Sequence, residues 1–145
     1  LLQRRAHDRG GLGLGVQYSQ NDPAKAASIV SAALQKDPDI VGIFASNLFS
    51  AQGSATGIRQ AGKQGKVNVV GFDAGPEQIK ALQDGTVQAL IAQQPGDIGV
   101  QGVQQAIKAL KGEPNEANIQ TGSTIITKDN LTSAEGQAAA YKASC

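Results

Sequence analysis

Short apolar runs alternate with helical patterns along most of the chain. Runs typical of buried strands cover residues 39–45, 67–71 and 87–92, with a further short strand expected over residues 15–18. Apolar residues recur at helical spacing after Asp22-Pro23 and in residues 50–61, 76–83 and 97–111. This alternation predicts an α/β fold, with a parallel Rossmann-like sheet flanked by helices on both faces.

The helix over residues 97–111 has the clearest apolar stripe, of the kind typical of a helix packed on a core. The stripe consists of Val103, Ala106, Ile107 and Leu110. The alternation of predicted strands and helices ends at a polar linker over residues 112–116. Beyond it, residues 118–127 are expected to be extended, and residues 131–144 to form a small Ala-rich helix.

The first 15 residues differ from the rest of the chain. They are rich in Arg and Gly and show neither helical nor strand periodicity, which predicts an irregular or disordered lead-in over residues 1–15. The run GGLGLG lacks the preceding strand and the spacing of a nucleotide-binding glycine loop. His7 lies in this lead-in, and we expect it to be solvated.

Composition excludes several classes of protein. The chain has 145 residues and a net charge of +1, which gives no electrostatic reason to expect nucleic acid or an anionic membrane as a partner. Its single cysteine, Cys145, allows no internal disulfide and no zinc or CxxC spacing. No apolar run approaches the roughly 20 residues of a membrane helix, and no signal peptide is visible.

Polar residues follow three of the predicted strands at their carboxyl ends. Asn47, Asp73 and Gln93 would share one rim of the sheet, with Phe72 beside the carboxylate. Amides and carboxylates suit sugar hydroxyls, each of which both donates and accepts hydrogen bonds. The alternative is that each residue caps the helix that follows it. Without a catalytic set outside the lead-in, we expect no enzyme activity, cofactor or metal.

The stretches IVGIFASN, GKVNVVGFDAGPEQIKALQDGTVQALIAQQPGDIG and GVQQAIKALKGE resemble the carboxyl-terminal lobe of periplasmic sugar-binding proteins of the ribose-binding type. The resemblance implies two lobes joined by three hinge crossings, with sugar held between them by Asn47, Asp73, Gln93 and Phe72. The loop before the first helix would supply a further contact near Asn21. One departure is Leu48, where the family usually has Asp.

The resemblance also implies boundaries and partners. Residues 16–117 would form the sugar-binding lobe, and residues 118–145 a hinge crossing and terminal helix. The amino-terminal lobe is missing, so the helix over residues 131–144 would lean on absent structure and invite self-association.

The function implied is the periplasmic, monosaccharide-binding component of an ABC importer, docking on permease subunits. The alternatives are the effector-binding core of a LacI-like repressor and a small Rossmann enzyme.

Overall fold

The computed structural model describes residues 2–4 and 14–142, whose strands form one six-stranded sheet. The strands are β1 Leu2–Arg4, β2 Leu14–Gly15, β3 Ile40–Ala45, β4 Asn68–Phe72, β5 Ala89–Gln93 and β6 Ser123–Thr127. The helices are α1 Pro23–Lys36, α2 Leu48–Gln60, α3 Pro76–Gln83, α4 Pro95–Leu110 and α5 Ala134–Ala139. Within this described part, no helix combines the length and apolar character needed to cross a membrane.

The strands lie in the order β2-β1-β3-β4-β5-β6, and the α/β prediction is confirmed. The three central strands β3, β4 and β5 are parallel, but β6 runs antiparallel to β5, and β1 antiparallel to β3. The sheet is therefore mixed, with parallel pairing only at its centre. The chain leaves β5 at Gln93 and re-enters the sheet beside it, where Ser123 pairs with Gln93, so the connection never crosses back to the other edge.

Part of the expected irregular lead-in is strand. Leu2 pairs with Ile43 of β3, and β1 in turn pairs with Leu14–Gly15. The prediction of an irregular segment is wrong for these residues, because strands pair through their backbone groups and can do so without side-chain periodicity. The strand expected over residues 15–18 ends at Gly15. Arg5, His7 and Cys145 lie outside the described residues.

One buried cluster joins the sheet to its helices. Val69, Leu90 and Ile126 come from adjacent strands, and Ile58 of α2 and Leu82 of α3 complete the middle of the cluster. All five are 0% exposed. Aliphatic side chains of this size contribute about 1.5–3 kcal/mol each on full burial, so this cluster contributes substantially to the stability of the fold.

The apolar stripe of α4 does not pack as the sequence predicts. No residue of α4 is buried, and Val103 and Leu110 are 61% and 88% exposed. The helix starts at Pro95, two residues after β5 ends, and none of its residues is buried against the sheet. The most amphipathic pattern in the sequence therefore lies on a helix that has no apolar partner among the described residues.

The terminal segment, unlike α4, packs on the buried cluster. The helix predicted over residues 131–144 is shorter and spans Ala134–Ala139, and its end packs on the core of this lobe. Leu131, Ala139 and Tyr141 pack against the buried cluster of this same lobe. The expectation that this segment rests on a missing lobe is wrong for its described residues, because its apolar side chains complete the core beside β6.

Gly53 of α2 lets α1 and α2 approach each other closely. A Cβ at Gly53 would lie 2.4 Å from both the Cβ of Ala26 and the backbone oxygen of Pro23. We therefore expect Gly53→Ala to lower the free energy of unfolding by about 1–3 kcal/mol, since backbone atoms cannot move aside as a side chain can. Urea unfolding followed by circular dichroism measures this.

Gly102→Ala is the matched control, because Gly102 is also helical and a Cβ there meets nothing within 4 Å. It should leave the unfolding midpoint unchanged or raise it slightly. Equal midpoints for Gly53→Ala and Gly102→Ala would contradict the close helix packing.

Candidate ligand-binding site

The carboxylate of Asp73 is held by three hydrogen-bond donors at the carboxyl end of β4. Its Oδ1 accepts from the side-chain Nε2 of Gln93 at 2.7 Å and from the Tyr141 hydroxyl at 3.2 Å. Its Oδ2 accepts from the backbone N–H of Leu48 at 3.0 Å. A carboxylate has about four acceptor positions, so this arrangement leaves one on Oδ2 for a ligand.

The backbone of Asp73 is also unusual. Its φ of +73° lies in the left-handed region, which costs a residue with a Cβ on the order of 1 kcal/mol. Its N–H donates to the carbonyl of Ile91 on β5 at 2.8 Å, which anchors this conformation. Left-handed residues outside glycine concentrate at functional sites, where surrounding contacts maintain the strain.

Asn47 is a helix cap with a spare amide. Its Oδ1 accepts from the backbone N–H of Ser50 at 2.8 Å, and the Ser50 hydroxyl accepts from the Asn47 backbone N–H at 3.1 Å, which forms a capping box for α2. The capping alternative is therefore correct for Asn47. Its Nδ2 donates to no group among the described residues, so the same side chain retains two N–H donors for a ligand.

Gln93 and Asp73 do not cap the helices that follow them. Gln94 is the N-cap of α4 and makes no side-chain cap bond, and Gly75 is the N-cap of α3. Asp73 instead bonds the first N–H of α2, a helix that precedes it in the chain. The positive end of the α2 dipole favours a carboxylate at this position. Instead of capping the following helices, Asp73 and Gln93 are hydrogen-bonded to each other at the ends of β4 and β5.

The remaining two predicted contacts differ in setting. Phe72 is half-buried, and its carbonyl accepts from Nε2 of Gln78 at 2.8 Å. Asn21 is exposed, with a φ of +62°, and lines a cavity of about 260 Å³ that Asn47 also lines. Asp73 and Gln93 are not part of that cavity's lining. The structure therefore joins Asp73 to Gln93 by a hydrogen bond, whereas Asn47 is linked to this pair only through its chain neighbour Leu48 and lines a separate cavity together with Asn21.

Two polar residues in this region were missed by the sequence analysis. Gln78 is 1% exposed, and besides bonding Phe72 it accepts from the N–H of Gly75 at 2.7 Å, which fixes the loop between β4 and α3. Leu48, the departure noted above, lies against that loop, since a Cβ at Gly75 would meet its Cδ1 at 2.7 Å. Gln78 sits in a helical pattern with nothing to mark it as buried.

Tyr141 is the second missed residue, 68 positions from the carboxylate it contacts. Its hydroxyl donates to Asp73 and accepts from the backbone N–H of Gln93 at 2.9 Å. Burial raises the pKa of Tyr141, and the negative charge of Asp73 raises it further. The hydroxyl is therefore protonated at neutral pH and available as a donor. No sequence spacing links the two residues, because only the packing of the terminal segment brings them together.

The chemistry of this network is hydrogen bonding. The oxygens of Asp73 point to an amide, a phenol and a backbone N–H, and none of these is a nucleophile or a base poised to move a proton. Within residues 2–4 and 14–142, no group of three or more His, Cys, Asp or Glu side chains is arranged to hold a metal ion. Donors and acceptors fixed at strand ends suit reversible binding of a polar, hydroxyl-rich ligand.

Known proteins share this architecture. The ribose import binding protein RbsB of Escherichia coli (strain K12) is 37% identical over 115 residues, which are 79% of this chain and 38% of that protein. The D-allose-binding periplasmic protein of the same strain is 40% identical over 90 residues, which are 62% of this chain and 29% of that protein.

A solved ABC transporter solute binding protein from Agrobacterium vitis, bound with alpha-D-tagatopyranose, matches with a TM-score of 0.82 and 40% identity. The match covers 89% of this chain and 43% of that one. The chain thus spans less than half the length of each of these relatives. The family model described as a periplasmic binding protein domain matches residues 7–114, most of the chain, which therefore belongs to that family.

Proposed function

We propose that this chain supplies the carboxyl-terminal wall of the sugar site in the solute-binding component of an ABC importer. The observation that carries the proposal is the Asp73 carboxylate, fixed by Gln93, Tyr141 and Leu48 with one acceptor position left on Oδ2. The relatives named above are binding proteins for ribose and allose and a protein bound with a tagatose, which supports a monosaccharide as the ligand.

Recognition would be reversible and non-covalent. A sugar hydroxyl donates to Oδ2 of Asp73, while the free Nδ2 of Asn47 and the Oε1 of Gln93 serve neighbouring hydroxyls. Asn21, which shares a cavity with Asn47, and Phe72, which directly precedes Asp73, complete the proposed contact set. Because the polar groups are already held by the protein, little ordering cost remains when the sugar binds.

The second lobe is the partner that α4 lacks. The apolar stripe of α4 is exposed here, and the relatives contain more than half of their length beyond what this chain matches. We assign α4 to the second lobe, with the chain passing out of this lobe after Gln93 and returning before Ser123. Residues 95–117 would then pack on the other lobe, and the two passages would form part of the hinge that closes over sugar.

The cellular setting follows from the same relatives. One relative is named as an import binding protein, one as periplasmic and one as an ABC transporter solute binding protein, so we propose a periplasmic location and a permease partner for the complete protein. The LacI-like repressor alternative shares the fold. The relatives named here are import binding proteins, and the net charge of +1 offers no basis for DNA binding, so transport is favoured.

Sugar binding is tested with the chain alone and with the chain assembled with the amino-terminal lobe of the Escherichia coli ribose import binding protein. Calorimetry with ribose, allose and tagatose should show weak or undetectable binding to the chain alone, because one wall supplies only part of the contacts. The assembly should bind at least one of these sugars at micromolar concentration. Micromolar binding by the isolated chain, or no binding by the assembly, would contradict the proposal.

Asp73→Asn in that assembly should weaken sugar binding about tenfold or more, because it removes the charge and replaces one acceptor oxygen by a donor. Asn tolerates positive φ, so the fold should be retained. Asp129→Asn, at an exposed carboxylate on the turn after β6, is the matched control and should bind as the unaltered assembly does. Equal affinities for the two variants would exclude Asp73 from the site.

The α4 surface makes a separate prediction. The isolated chain should self-associate through the exposed stripe, and the double variant Val103→Glu, Ile107→Glu should be monomeric in sedimentation analysis with an unchanged urea midpoint. Gln104→Glu, on the same exposed helix, controls for added charge. The double variant should also fail to assemble with the second lobe. A monomeric unaltered chain, or normal lobe assembly by the double variant, would show that α4 is not this interface.

A further inference from the structure

The terminal segment reaches back to the candidate site through one hydroxyl group. After α5 ends, the backbone N–H of Tyr141 donates to the carbonyl of Ala74 at 2.9 Å, which places the segment beside the loop after β4. The phenol ring packs against the buried cluster. Its hydroxyl then lies between the carboxylate of Asp73 and the last backbone N–H of β5.

We propose that Tyr141 is a positioning residue for sugar recognition, which holds the Asp73–Gln93 pair in its binding orientation. The inference rests on the proposed function, and it assigns to the terminal segment a role in the site that neither its position nor its composition suggests. Tyr141 acts through Asp73 and Gln93 and need not touch the sugar.

Geometry explains why a hydroxyl is needed here. The N–H of Gln93 lies at the end of β5, where it bonds the tyrosine oxygen at 2.9 Å. The same oxygen donates its proton to Oδ1 of Asp73, which also receives Nε2 of Gln93 at 2.7 Å. The three groups form a closed ring of hydrogen bonds. The side-chain amide of Gln93 bonds the Asp73 carboxylate directly, and the backbone N–H of Gln93 is linked to the same carboxylate through the Tyr141 hydroxyl.

This ring limits which oxygen of Asp73 can meet a ligand. With Oδ1 occupied by two donors and Oδ2 by the N–H of Leu48, rotation of the carboxylate would break hydrogen bonds on both oxygens. Without the hydroxyl, Oδ1 keeps one donor and the N–H of Gln93 loses its acceptor. The carboxylate then gains freedom that sugar binding must remove, so the cost appears in affinity.

Tyr141→Phe tests the proposal, because phenylalanine keeps the ring that packs on the core and removes only the hydroxyl. In the assembly with the second lobe, its sugar affinity should be about fivefold weaker, the usual effect of one hydrogen bond. NMR should also show faster hydrogen exchange at the Gln93 backbone amide and displaced Gln93 side-chain amide signals.

Leu131→Val is the matched control for a merely structural role. It trims a side chain of the same terminal segment that packs on the same cluster, and it makes none of these hydrogen bonds. It should lower the unfolding midpoint while leaving sugar affinity and the Gln93 signals unchanged. An affinity for Tyr141→Phe equal to the unaltered assembly, or a loss matched by Leu131→Val, would overturn the proposal.

The outcome separates this inference from the proposed function. If the unaltered assembly binds no monosaccharide, the proposed function fails, and the Gln93 signals of the chain alone then decide the role of Tyr141. Displaced signals in Tyr141→Phe support positioning of the pair, and unchanged signals overturn it.

The pH dependence of stability gives an independent check of the ring. Because burial and the charge of Asp73 raise the pKa of Tyr141, its contribution to stability is complete below the ordinary tyrosine pKa of about 10 and is lost as pH rises above it. The free energy of unfolding should therefore fall more steeply above about pH 10 in the unaltered chain than in Tyr141→Phe. Tyr18→Phe, at a tyrosine that is 78% exposed, should retain the steep fall. Equal slopes for all three proteins would show that the hydroxyl is not held as described.

Discussion

The hydrogen bonds to the carboxylate of Asp73 are the interactions on which the candidate site depends. They join four parts of the chain: the end of β4, the first turn of α2, the end of β5 and the segment after α5. Three donors and a helix amino terminus hold one charge that is only half-buried. A carboxylate fixed in this way can accept a hydrogen bond from a hydroxyl without first having to be ordered, which is the preorganisation that the proposed sugar site requires.

The hydrogen bonds that hold this network leave free positions on the same side chains for the proposed sugar contacts. Asn47 uses its oxygen to cap α2 and keeps its nitrogen free, and Asp73 uses three acceptor positions internally and keeps one. Capping and ligand contact are therefore compatible, since an amide and a carboxylate each have more hydrogen-bonding positions than a cap requires. The cost is the left-handed backbone at Asp73, which its N–H bond to Ile91 maintains.

The helices differ in what their apolar faces meet. Side chains of α1 and α2 and the segment around Tyr141 pack on one cluster of aliphatic side chains. The apolar stripe of α4 is instead exposed to solvent. A helix with that pattern is stable in isolation only marginally, because most helix stability in proteins comes from packing. Its exposure is the main structural observation behind the proposal of a second lobe.

The sequence by itself determined the order of elements from α1 to α4 and the strand ends where Asp73 and Gln93 meet, because strand and helix periodicity and the Asp22-Pro23 and Gly breaks are local properties. It could not determine the antiparallel pairing of β1 and β6, since backbone ladders carry little side-chain signature. Amphipathicity shows that α4 has an apolar face, whereas only the tertiary structure decides what that face meets. Tyr141 and Gln78 likewise enter the site through packing between distant segments, and no spacing along the chain encodes a contact across 68 residues.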